Sequence, residues 1–179
     1  LEDTLTILAS QGNYPYGKGR LNANLNVQGS SAEALNLRGN LSIGQLELWG
    51  GPLKTDHPRF KDISTDLDAT ITRGNLALKH LEFQSSVAKG SAQGGVTDQG
   101  HKQFNGSGSI DLAEVFSQLP NTLKLRRDTT LSEGTLLLSY NVKSTGPVTA
   151  FDNSARIDRL KGASGGKQIA WNKIIKLKD

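Results

Sequence analysis

The side chains able to do chemistry are few and scattered. The three histidines, His57, His80 and His101, fall in different segments, and no two share the close spacing that metal sites favour. Asp56-His57, within Thr55-Asp56-His57-Pro58, is the best polar pair, and an Asx-type turn in a loop explains it without catalysis. Serine is frequent, yet no Gly-x-Ser-x-Gly elbow occurs. Gly106-Ser107-Gly108 has the glycines of a phosphate loop but no following lysine, and it lies in a strand pattern. Asp66 and Asp68 share the polar side of one segment, with nothing marking a second acid across a cleft. Cysteine is absent, which removes disulfides, thiolate metal sites and a cysteine nucleophile. These residues predict no catalytic site, no metal and no cofactor.

The elements that would have to position such groups show a stronger signal. Leu21, Ala23, Leu25 and Val27 alternate with asparagines, and Leu35, Leu37, Leu41 and Ile43 repeat the pattern. Ile63, Thr65, Leu67, Ala69 and Ile71 alternate with Ser64, Asp66, Asp68 and Thr70. Leu136, Leu138, Tyr140 and Val142 form another set, and Ala155 and Ile157 a short one. A strand turns successive side chains to opposite faces, so each run has one apolar and one polar face. Turn chemistry punctuates the runs at Gly50-Gly51-Pro52, Arg73-Gly74-Asn75, Gly94-Gly95, Asp98-Gln99-Gly100, Gly146-Pro147 and Gly165-Gly166. That spacing predicts strands of about 6 to 10 residues in antiparallel hairpins.

Three segments slip out of phase. In Leu76-Ala77-Leu78-Lys79-His80-Leu81-Glu82-Phe83 the four large groups share one face only if an extra residue near Lys79-His80 forms a bulge. Leu41 to Leu48 shows the same slip at Gly44-Gln45, and Arg156 to Leu160 a degenerate copy. One segment departs from strand spacing altogether. Leu112, Val115, Phe116 and Leu119 recur at helical intervals between Asp111, a natural cap, and Pro120, a stop. The expected fold is therefore all-β: an antiparallel, strongly twisted sheet, groove (taco) or sandwich-like, with one short helix near 111–119. Residues 1–179 are expected to form a single β-rich domain, read as a fragment because the chain starts in mid-pattern and contains no methionine.

Composition narrows the function classes. Hydrophobic residues make up 35% and aromatics 6% of the chain, thin for a compact enzyme but enough for a sheet that buries one face. The net charge of +4 is dispersed, with its densest stretches at Lys124-Leu125-Arg126-Arg127 and 173–178. That is too sparse for a nucleic-acid stripe; it fits a solvated sheet edge or an anionic membrane surface.

The segment from Leu76 through Val96 and the strand Phe104 to Leu112 carry a distinctive grammar. Two apolar pairs flank a slip, then come a Ser-rich stretch and a strand of small residues. This resembles the repeat of AsmA-like and TamB-like bacterial envelope proteins, over most of residues 20 to 175. The resemblance implies a periplasmic location, an inner-membrane tether supplied by regions outside this chain, and a lengthwise groove with an apolar lining. It implies a part in phospholipid transport or outer-membrane biogenesis, with lipid acyl chains or envelope assembly proteins as partners. On that reading Leu21, Leu25, Leu67, Ile71, Leu76, Phe83 and Leu138 line the groove. The same residues would equally pack a closed sandwich or barrel. The alternative function is a carbohydrate-binding or adhesin-like module, presenting Trp49, Tyr14, Tyr16 or Trp171 as a platform for sugars.

Overall fold

The structure is a computed structural model. It describes residues 3–7, 14–30, 34–146, 148–171 and 175–177; Pro147 and much of the basic stretch at 173–178 lie outside these. The described chain is an open antiparallel sheet with one short helix. The strands are β1 (Asp3–Ile7), β2 (Tyr16–Ser30), β3 (Ala34–Trp49), β4 (Arg59–Phe60), β5 (Ile63–Thr72), β6 (Asn75–Gln84), β7 (Ala88–Val96), β8 (Lys102–Asp111), β9 (Thr130–Thr145), β10 (Val148–Ser164), β11 (Lys167–Trp171) and β12 (Ile175–Leu177). The helix α1 (Leu112–Gln118) lies between β8 and β9. Each strand pairs with its neighbour in sequence, in the order β1-β2-β3-β5-β6-β7-β8-β9-β10-β11, while β4 continues the line of β5 along β3 and β12 flanks β10 beside β11.

The strand boundaries differ from expectation in two ways. β2, β3, β9 and β10 run to 15, 16, 16 and 17 residues, longer than the turn spacing predicts. Gly94-Gly95 does not turn the chain. It lies inside β7, where Gly94 sits opposite Leu78 and Phe104 and leaves room for the phenylalanine ring. Arg73-Gly74 makes the expected tight turn, with Gly74 at φ 78°.

All three slips are bulges. Lys79 is the extra residue of β6, because Asp68 faces His80 while the next residue of β5, Ala69, faces Leu78. Between Lys18 and Arg20 of β2, β3 advances from Glu47 to Gly44, three residues against two. Between Thr135 and Glu133 of β9, β10 advances from Asp158 to Lys161. Gln45 and Arg159 take up the second and third irregularities with φ of 55° and 51°. Each bulge returns the following leucine to the face of its predecessors.

Register then places every apolar series on one side. Leu25 pairs with Gly39, Gly39 with Leu67 and Leu67 with Leu81, and the row continues through Ala92 to Gly106 and Tyr140. Large side chains lie over several glycines of this face, Leu25 over Gly39 and Tyr140 over Gly106. A Cβ on Gly106 would stand 2.6 Å from two ring carbons of Tyr140. The opposite face carries Asn24, Asn40, Asp66, Glu82, Ser91 and Ser107 in the neighbouring row.

Apart from the short α1 at one end, no second layer covers the apolar face among the described residues. Among the described residues Ala69 is the one buried hydrophobic residue there, and Leu25 and Val27 remain 62% and 53% exposed. The whole chain exposes 12638 Å², against about 8400 Å² for a globular monomer of 19.2 kDa. The closed sandwich and the barrel are therefore not formed; the sheet is open.

Candidate functional site: an apolar sheet face roofed at one end

The seven residues expected to line a groove all fall on this face. Leu21 sits opposite Ile43, which in turn faces Ile63. Leu67 is two pairings from Leu25 across Gly39 and one from Leu81. Ile71 faces Leu76, Phe83 faces Thr65, and Leu138 faces Gly108 and Ala155. Ile71, Phe83 and Leu138 are exposed on the surface, as are Leu41, Tyr140 and Phe151 beside them.

One end of the face has a roof. Asp111 ends β8 in an extended conformation and accepts a 3.0 Å hydrogen bond from the Glu114 backbone N–H, which starts α1. The helix lies over β9 at Gly134, where a Cβ would meet Leu160 Cδ1 at 3.0 Å and Leu112 Cβ at 3.3 Å. A larger residue there would have to push Leu160 or the helix back by a few tenths of an ångström. Beyond Pro120 the chain meets the excursion that joins β3 to β5. Asp56 is 4% exposed and is the centre of that junction. Its Oδ1 accepts from the Asn121 backbone N–H at 3.2 Å and side-chain amide at 2.8 Å. Its Oδ2 accepts from the Thr122 backbone N–H at 2.6 Å and hydroxyl at 2.7 Å. The Arg59 backbone N–H donates to Gln118 Oε1 at 2.6 Å, and Lys54 Nζ to the Asn121 carbonyl at 3.0 Å. Pro58 is fully buried next to this clasp.

Burial pushes the Asp56 carboxyl up, but the bonds from Thr122 and Asn121 outweigh it and hold the group below its ordinary value. The side chain thus stays ionised and fixed between two loops. It does not close the local Asx turn expected from the sequence; its partners are 65 and 66 residues away. Only Asn121-Thr122, two donors just past a helix-stopping proline, hint at this in the sequence.

The remaining polar groups serve the sheet. Asp68 pairs with Arg38 at 2.9 Å, its cross-strand partner, and with Lys79 at 3.7 Å. Glu47 lies 3.1 Å from Arg59 and 3.3 Å from Lys18, and the Arg59 bond above all lowers its pKa. His57 stands 4.0 Å from Glu47, His80 3.4 Å from Glu82, and His101 lies in the β7–β8 turn. The structure brings no two histidines together, and among the described residues no three His, Asp or Glu side chains gather as metal ligands. A hollow of about 550 Å³ on the polar face is lined by Glu82, Lys89, Ser107, Ser139 and Arg156 among others. Tyr16 and Trp49 stack on one another, ring centroids 6.3 Å apart and planes 23° apart, so each ring partly covers the other. β3, which carries Trp49, is an interior strand rather than an edge.

No described helix is long and apolar enough to cross a membrane. Compared with known proteins, the chain matches no family model, no curated protein and no solved structure.

Proposed function

We propose that this chain is a non-catalytic β-groove segment of a bacterial cell-envelope protein, acting in phospholipid transport or outer-membrane assembly. In this reading the protein is periplasmic and tethered to the inner membrane. The observation that carries the proposal is the apolar face running from β2 to β10, which among the described residues is covered only at one end, where α1 lies over Gly134. A monomer rarely leaves a contiguous apolar patch of this extent in water without a partner for it. An acyl chain lying on it would gain about 0.8 kcal/mol per methylene removed from water. Such binding needs no particular side chain, only a continuous greasy surface.

The test uses the two faces of one strand. A photo-crosslinking residue at position 67 or 76, placed in the full-length protein in cells, captures phospholipid; the same residue at position 66, on the polar face, does not. Equal labelling from both faces, or no lipid adduct from either apolar position, rejects the reading.

A further inference from the structure

The clasp that follows α1 also gathers charge. Segments 50–62 and 119–129 contribute Lys54, Arg59, Lys61, Lys124, Arg126 and Arg127 against Asp56, Asp62 and Asp128. They therefore hold three of the four net positive charges of the whole chain. One of the three carboxylates, Asp56, is buried and turned inward onto Asn121 and Thr122. Arg59 is occupied by Glu47, and Arg126 lies 3.9 Å from Asp128. Lys61, Lys124 and Arg127 have no ion-pair partner among the described residues. On the 119–129 segment Leu123 stands 42% exposed, next to Lys124, whose backbone is in the left-handed region at φ 54°.

From this arrangement we infer that the clasp is a docking surface for an anionic lipid bilayer, with Lys61, Lys124 and Arg127 meeting headgroups and Leu123 entering the interface. Cations near an anionic leaflet are each attracted to it, and an apolar side chain among them adds burial that a soluble polyanion would not offer. The exposed leucine is what favours a membrane over a nucleic acid, whose single-strand grooves interleave cations with aromatics. Docking also needs the two segments held as one surface, and Asp56 supplies that by fixing one against the other before any lipid is met. The inference goes beyond the groove reading, because it gives this chain a membrane contact of its own, away from the acyl-binding face.

The experiment is co-sedimentation of the purified chain with vesicles of phosphatidylcholine alone or mixed with phosphatidylglycerol. Binding is expected only to the anionic vesicles, weakening as salt rises. Combined Lys61→Gln, Lys124→Gln and Arg127→Gln should reduce it on the order of 100-fold, at about fivefold per cation. Leu123→Ala should weaken binding without changing its salt dependence. The three charged side chains are surface groups, and an unchanged circular dichroism spectrum verifies the fold of each variant. Equal binding to neutral vesicles, or indifference to the triple variant, overturns the proposal, since the apolar face would then be the adhesive. Equally tight binding to duplex DNA through the same residues also overturns it, as a general polyanion patch. Lipid crosslinking from position 67 without vesicle docking rejects this inference and leaves the groove reading standing; docking without crosslinking does the reverse.

Discussion

Asp56 and Thr122, 66 residues apart in the chain, are joined by two hydrogen bonds to a single carboxylate oxygen, at 2.6 and 2.7 Å. The two residues lie on excursions from opposite sides of the β5–β8 stretch of the sheet, so this contact closes a span that the strand ladder leaves open.

Replacing Asp56 by Ala leaves the Thr122 and Asn121 donors without their acceptor in a buried place. A loss of about 1 to 3 kcal/mol is expected, read by chemical denaturation and as faster amide exchange across 119–125. The pH dependence follows from the lowered carboxyl. A group whose folded pKa lies below its unfolded value stabilises the fold above the unfolded pKa of about 3.9. That contribution disappears as pH falls through the folded value. The clasp should therefore be insensitive between neutral pH and about pH 5 and loosen only in stronger acid, and limited proteolysis of 119–129 against pH measures this.

The uncovered face predicts an unusual mutational pattern. Leu25 is 62% exposed, so Leu25→Ala should cost less than about 1 kcal/mol, well below the 2 to 5 kcal/mol of a buried leucine. Ala69 is 4% exposed at the middle of the same face. Enlarging it to Phe should therefore cost more, about 1 to 3 kcal/mol. Thermal unfolding of both variants decides; a core-like cost at Leu25 would mean that the face is packed in solution.

Deleting Lys79 should be tolerated. Leu76, Leu78, Leu81 and Phe83 would then alternate without interruption, and β6 would match β5 and β7 residue for residue. The ion pair to Asp68 is lost and little else. Deleting Thr70 from β5 should instead invert half of that strand and abolish folding. Circular dichroism and the unfolding midpoint of the two deletions make the comparison.

Much of this architecture could be read from alternation alone. The facing of Leu67 or Leu138 depends only on strand parity, and the bulges at Lys79, Gln45 and Arg159 were legible because each breaks parity between large side chains. Helix α1 was legible from Asp111 and Pro120 together with the spacing of Leu112, Val115 and Phe116. Whether the face is covered was not, since a sandwich and an open sheet share one alternation; that depends on the order of strand pairing. The clasp was hidden for another reason. Asp56, Asn121 and Thr122 are small polar residues in loops, where sequence carries no period and local turn bonds are the default expectation.

The strict neighbour-to-neighbour order of the strands has one more consequence. Apart from α1 and the clasp around Asp56, each hairpin among the described residues pairs only with the hairpins on either side of it, much as units do in repeat proteins. Width is then an adjustable quantity outside the bridged section, where an added hairpin would need to match only the strand it pairs with. The bridged section from β3 to β9 has no such latitude, because its strand number is set by how far two loops can reach.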